Sequence, residues 1–467
     1  MKKRRKAALP AELSGLLAWL KERGATFDDT IELRTTSSAG VGLFAKRDLS
    51  AGETLVSVPQ SCALTAGVAL ASELGVAVAA AAEKLGCAEA CTAELVTWLF
   101  MCRGRTEPGH AWHAYLVSLP AAPDPASWPE AQRAELDGTT VGGAVDEALQ
   151  HAAQCLGVVA QLATEVPELA SIAEEDLLWA RGMLLSRQFP SHLGGENSTG
   201  SAGRAAGCLL PLLDFLNHDA LGTPVTQALR YVQPAKRTAA LGCVALMSGA
   251  LIQKGAEIFI SYGDRPNEEL LYAHGFCIRD NPMDDVALAL VLDGGTFGGG
   301  GEQEEEPFRI RRQAAGGIPS ELLRAAAAAA AKQGEEGDAG MAAIPPVLDA
   351  PLEVGAALEV GADECMLLHS ALLERLQAAL PSVAADRRSL LAEGLLDQGA
   401  GPADELHHGA ARRRQYVAMY RQGQREVLLE AVTWLEGLLQ AAADGESEGE
   451  GEGESEGERE GDDEDGG

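Results

Sequence analysis

No stretch of this 467-residue sequence comes near the roughly 18–20 consecutive apolar residues of a membrane-spanning helix, so none is expected. The opening "MKKRRKAALPAELSGLLAWLKERGA" starts like a signal peptide. Its apolar run, however, is broken by Pro10, Glu12 and Lys21, and no small-residue cleavage site follows. It reads as an amphipathic helix with Leu13, Leu16, Leu17 and Leu20 on one face. The nine cysteines form no Cys-x-x-Cys pair and are odd in number, which argues against a disulfide framework and a structural zinc. A reducing compartment and no metal are expected. Aromatic residues are scarce, 4% against 46% hydrophobic overall, so helices rich in Ala and Leu should dominate. Positive charge is scarce too: 37 Lys and Arg face 69 Asp and Glu, a formal net charge of −32. Much of the excess lies in "DGESEGEGEGESEGEREGDDEDGG" and "GGGGEQEEEP", low-complexity stretches whose composition predicts disorder. A chain so acidic is not expected to bind nucleic acid through its phosphate backbone.

What is present divides the chain. Residues 30–60 alternate and are punctuated by glycine, as short strands with tight turns would be. From about 61 to 190 the pattern is helical, as in "AELVTWLFMCRG" and "EEDLLWARGMLLSRQF". Strand signals return over 208–276 in "CVALMSGALIQKGAEIFISYG", followed by an expected helix in "NEELLYAHGF". A Gly-rich acidic linker is expected at 292–306 and another loop near 333–350. Residues 362–440 are helical again, in "ECMLLHSALLERLQAAL" and "RRRQYVAMYRQGQREVLLEAVTWLEGLLQ".

Within this outline "LLPLLDFLNHDA", residues 209–220, interrupts a run of leucines with Asp214, Asn217 and His218. A buried polar group without a partner costs roughly 1–3 kcal/mol, so something must satisfy all three. Taken alone, a helix end would do it, with Asp214 or Asn217 capping. Three other pieces are equally ordinary in isolation. In "SSAGVGLFAKRDL", Gly40-Val41-Gly42 permits close approach of backbone to a ligand but lacks the strand-GxGxxG-helix context of a dinucleotide site. In "SRQF", Arg187 is a planar cation suited to holding a carboxylate, or simply a surface ion pair. In "GAEIFISYGDRPNEELLYAHGF", Tyr262 ends a β-run and alone reads as a core aromatic.

Taken in order, a GxG entry strand, a helical insertion, "DFLNH" and then "ISYG" resemble the SET-domain methyltransferases, and among them the plant Rubisco large-subunit lysine methyltransferase class. The resemblance runs from about residue 11 to 440. It takes in "HAWHAYLVSLP" and "WARGMLLSRQF" in the insertion, and "LLERLQAALPSVAADRRSLL" and "VAMYRQGQREVL" near the C-terminus. It implies an α+β fold: a SET-domain β-fold with a pseudoknot, a helical insertion at about 61–185 and a C-terminal all-α domain. The expected boundaries are an N-terminal helix at 1–26, the SET domain at 27–276, a connecting region at 277–361, a helical substrate-binding domain at 362–440 and a disordered acidic tail at 441–467.

The resemblance also implies roles. S-adenosylmethionine is the expected cofactor, with Ala39, Gly40 and Val41 as its backbone edge and Arg187 holding its carboxylate. Asn217 and His218 would meet its amine and adenine, Asp214 would support the same wall, and Phe276 would close over it. Tyr262 would be the catalytic residue, fixing the lysine amine at the inner end of an apolar channel walled by Phe189 and Ile260. Phe189 suits an alkyl lysine stem better than an imidazole. Ile260 offers no hydroxyl to hold a water against the amine, which favours di- or trimethylation. The expected activity is therefore protein-lysine N-methylation of a non-histone protein. The alternatives are a histone-lysine methyltransferase, supported only by the basic cluster Lys2–Lys6 and the acidic tail, and a catalytically silent peptide-binding module. Cytoplasm or nucleus is the expected location. Chloroplast residence would fit the resemblance but leaves almost no room for a transit peptide ahead of the first helix.

Overall fold

The computed structural model describes residues 9–36, 40–194, 207–218, 228–232, 242–288, 290–292, 295–297, 308–312, 318–319, 321–326, 362–379, 386 and 405–449. It divides into two compact units: one takes residues 1–265, 269–276 and 396–413, the other 266–268, 277–395 and 414–467. Among the described residues no helix is long and apolar enough to cross a membrane.

The first unit opens with α1 (Ala11–Glu22), which buries Leu13, Leu16, Trp19 and Leu20 at helical spacing. Strands β1 (Ile31–Thr36), β2 (Gly40–Ala45) and β3 (Thr54–Pro59) follow. Ile31 pairs with Ala45 and Leu33 with Leu43, and all four are buried, so one face of this ladder is core. After the helical insertion come β4 (Asn217–His218), β5 (Ala228–Val232), β6 (Cys243–Met247) and β7 (Glu257–Ile260). One sheet has the order β1-β2-β7-β4 and the other β3-β6-β5. All these pairings are antiparallel except β4 with β7, which run parallel. That parallel step brings Asn217 and His218 beside the strand leading to Tyr262.

The insertion consists of α2 (Ala66–Leu70), α3 (Glu73–Leu85), α4 (Ala93–Thr106), α5 (His113–Leu116), α6 (Glu130–Arg133), α7 (Thr140–Leu162) and α8 (Glu174–Arg187). Thr65, Ser72, Thr92 and Thr139 cap α2, α3, α4 and α7, each side-chain oxygen accepting from the amide three residues on. Helix α4 is buried without a break from Leu95 to Cys102, which explains why its sequence shows no amphipathic stripe. Helix α9 (Asn267–His274) then follows β7.

The second unit contains more than helices. Strands β8 (Asp285–Leu288) and β11 (Phe308–Arg311) pair within the stretch read as a connecting region. Their Val286, Leu288, Phe308 and Ile310 share a core with Leu368 and Leu372 of α10 (Ala362–Ala379) and with Val427, Ala431 and Leu435 of α11 (Glu405–Gly449). A small ladder between β9 (Leu290–Leu292) and β10 (Gly295–Phe297) replaces the beginning of the expected linker at 292–306. Helix α11 runs to Gly449, past the boundary expected at 440.

Candidate active site

The site is built in the first unit where the insertion hands the chain back to the sheets. Arg187 is the last residue of α8. Two residues on, Phe189 pairs with Cys208 through backbone bonds of 2.8 and 2.9 Å, which pins the returning chain beside it. Leu212 then takes a left-handed backbone, φ 75° and ψ −43°, although it is not glycine and is fully buried. Such a conformation costs about 1–3 kcal/mol and is held only where packing leaves no alternative. It turns the chain into the short turn Leu213–Phe215, where the Asp214 amide donates to Leu210 O at 3.0 Å, and delivers it to β4.

The three polar residues that break the leucine run are satisfied by tertiary partners, not by a helix cap. Asp214 Oδ2 accepts the Tyr115 hydroxyl at 2.8 Å. The Asp214 carbonyl accepts from Arg187 Nη1, which lies 3.8 Å from Asp214 Oδ2 and is stacked over Phe215. Asn217 Nδ2 donates to Glu257 Oε1 at 2.6 Å. His218 Nδ1 accepts the Tyr262 amide at 3.1 Å, so in the neutral ring the other nitrogen carries the proton. The Tyr262 hydroxyl donates to Leu216 O at 2.9 Å.

Rings complete the arrangement. Tyr262 lies between two imidazoles, with centroids 5.0 Å from His218 and 4.6 Å from His274. Phe276 lies 6.2 and 6.1 Å from the same two rings. Burial pushes the His274 pKa down to about 4, helped by nearby Arg265 and His218, so the ring is neutral at physiological pH. Burial pushes Tyr262 up to about 12, and Asp214 up to about 6 against the pull of Arg187 and the Tyr115 hydroxyl. Arg187 Nε and Asp214 Oδ1 are buried without a hydrogen-bond partner among the described residues.

The structure thus places Arg187 and Asp214 as a buried pair, Tyr262, His218 and Phe276 in one cluster of rings, and Asn217 next to His218 on β4, bonded to Glu257. Gly40 and Val41 open β2, and Gly40, at φ 70°, has open space where a Cβ would point. Gly42 has a different reason to be glycine: a Cβ there would run into the Glu257 carboxylate and lie 2.9 Å from Asn217 Nδ2. Ala39 lies outside the described residues. Phe189 is half-buried after α8, and Ile260 is buried at the end of β7, two residues before Tyr262. The sequence reading gave no role to Tyr115 or Glu257. Both stood inside quoted motifs, "HAWHAYLVSLP" and "GAEIFISYGDRPNEELLYAHGF".

Residues 40–263 match the family described as SET domain. Its relatives of known activity act on several proteins. A chloroplastic [fructose-bisphosphate aldolase]-lysine N-methyltransferase of Arabidopsis thaliana is 26% identical over 59% of this chain and 53% of its own length. The chloroplastic Rubisco large-subunit N-methyltransferase of Pisum sativum is 27% identical over 55% of this chain and 50% of its own. The actin-histidine N-methyltransferase of Mus musculus is 26% identical over 59% of this chain and 44% of its own. The chain spans about half the length of the curated relatives it matches. In structure it is similar to the SET domain of LSMT bound to lysine and AdoHcy, with a TM-score of 0.68 over 94% of both chains at 20% identity.

Proposed function

We propose that this chain is an S-adenosylmethionine-dependent protein-lysine N-methyltransferase acting on a non-histone protein. The observation that carries the proposal is Tyr262, with its hydroxyl aimed at Leu216 O beside the buried Arg187–Asp214 pair. The residues present fit the cofactor. The orphaned Arg187 Nε is a buried donor ready for a carboxylate, and Gly40 leaves open space where a side chain would stand. The aromatic and imidazole rings of Phe276 and His218 would lie against an adenine. Gly40, Val41, Arg187, Asp214, Asn217, His218 and Phe276, with Ala39 before them, would hold it. When bound, S-adenosylmethionine supplies an electrophilic methyl group on a sulfonium.

The chain's own residues account for the rest of the chemistry. A lysine side chain attacks only as the neutral amine, and a channel walled by Phe189 and Ile260 near the Arg187 cation lowers its pKa by desolvation and like charge. Tyr262 stays a phenol at neutral pH and therefore is not the base. With its hydroxyl donating a hydrogen bond to Leu216 O, it keeps an oxygen lone pair to accept from the amine N–H and fix the direction of attack. Relatives that methylate aldolase or Rubisco, together with the apolar Phe189, support a lysine acceptor on a non-histone protein over a histidine one.

The test is calorimetric titration with S-adenosylmethionine, wild type beside Asn217→Ala, followed by labelled methyl transfer into a protein lysate and acid hydrolysis. Wild type should bind, and the variant should lose about tenfold or more in affinity, the scale of one good hydrogen bond to a charged group. Label should appear in methylated lysines. No binding by folded wild type would end this reading, and label in methylhistidine would move the acceptor to imidazole.

A further inference from the structure

Within the site, one hydrogen bond comes from far back in the chain: Tyr115 lies 99 residues before its partner Asp214. Tyr115 is fully buried on α5, in the insertion. Its ring sits 6.4 Å from Trp112 in an edge-on arrangement, and Trp112 lies 5.5 Å from Trp19 of α1. The Trp19 indole is itself tied to Ala111 O at 2.9 Å. The phenol is thus propped by an aromatic chain rooted in the core, and its hydroxyl has little freedom to choose another acceptor.

On the other side of Asp214 stands Arg187, held by the Asp214 carbonyl and facing the Asp214 carboxylate. Both side chains are almost wholly out of water, 16% and 0% exposed. In such a medium, an arginine keeps one orientation only while its counter-charge stays ionised and aimed. We propose that Tyr115 is a positioning residue of the cofactor site: its hydroxyl holds the Asp214 carboxylate, which in turn fixes the Arg187 guanidinium. This rests on the reading of Arg187 as a cofactor ligand. It gives the helical insertion a share in the cofactor site itself.

The consequence has a definite sign. A hydrogen bond to a carboxylate favours its charged form, so removing the Tyr115 hydroxyl raises the pH at which Asp214 takes up a proton. Arg187 then loses its counter-charge at a higher pH than in the wild type, and cofactor binding weakens there. The groups facing Asp214 are Arg187, Tyr115 and Tyr262, with Cys208 beyond Tyr115. Burial pushes both phenols upward, away from the range in which the carboxyl titrates.

Affinity for S-adenosylmethionine should be titrated from about pH 5.5 to 9 for full-length wild type, Tyr115→Phe, Asp214→Asn and the double variant, with melting curves of the ligand-free proteins. Wild-type binding should weaken below about pH 6, where Asp214 titrates. In Tyr115→Phe that inflection should move up by about one pH unit, a roughly tenfold loss on the acid side, and binding should recover to about the wild-type value at the alkaline end. Asp214→Asn should abolish the inflection, and adding Tyr115→Phe to it should not restore any pH dependence. A pH-independent defect in Tyr115→Phe, no defect, or an inflection that survives in Asp214→Asn would each overturn the proposal. The last of these outcomes can be read even if Tyr115→Phe does not fold. Absence of binding by wild type at every pH would remove the parent reading as well, and so is a separate outcome.

Discussion

At the position of Tyr262 the structure separates two things a tyrosine can contribute. Its ring fills the gap between His218 and His274, and its hydroxyl makes one bond, to Leu216 O. Phenylalanine would keep the first and lose the second. Tyr262→Phe should therefore fold and bind S-adenosylmethionine within about threefold of wild type, while single-turnover methyl transfer falls by about 100-fold or more, the usual scale for a positioned catalytic group. Turnover close to wild type would show that the hydroxyl does not orient the amine. A comparable loss in affinity would place its role in cofactor binding instead. His274, held neutral by burial, lies against the Tyr262 ring without placing a charge there.

Among elements, α9 shows how a helix end can place a functional ring. Gly275 follows its last residue with φ 70° and donates its amide to Leu271 O at 3.0 Å, a left-handed stop that glycine adopts without strain. A Cβ there would run into the Pro123 carbonyl. Gly275→Ala should destabilise the protein by on the order of 2 kcal/mol or more in chemical denaturation and weaken cofactor binding by displacing Phe276. Unchanged stability would mean that the 123 loop yields freely. The same elements show what a sequence discloses. Arg187, Asp214, Asn217, His218 and Tyr262 are legible because each sits in a short contiguous motif whose residue types carry chemistry. The partners that satisfy them are not, because Tyr115 and Glu257 lie 99 and 40 residues away and look like ordinary helix and strand residues. The β8–β11 ladder is hidden for a related reason, since it joins two four-residue strands across a low-complexity stretch that carries no pairing signal of its own.

For the whole molecule, pH should act on the two units differently, because they bury different titratable groups. In the second unit Glu268 and Asp284 are raised by burial, Asp284 to about 6, although Arg309 pairs with Glu268 and Asn267 donates twice to Asp284. A carboxyl whose pKa is higher folded than unfolded stabilises most below its unfolded value near 4, and that contribution is lost as pH rises through about 6. Acidification from about pH 7.5 to 5 should therefore raise the melting temperature of this unit, by roughly 2–4 °C. In the first unit Asp124 and Asp214 push the same way, but His110 and His274 are lowered by burial. An imidazole held neutral costs stability once the unfolded chain begins to protonate, below about pH 6.5. The two effects oppose each other there, and the first unit should stay nearly level. Two cores need not melt together, so calorimetry should resolve two transitions, and Asp284→Asn would identify the second unit's by flattening its rise. If both transitions fell together on acidification, the folded carboxyls would hold their charge more readily than the unfolded ones, and the upward shifts of Asp284 and Asp214 would be refuted.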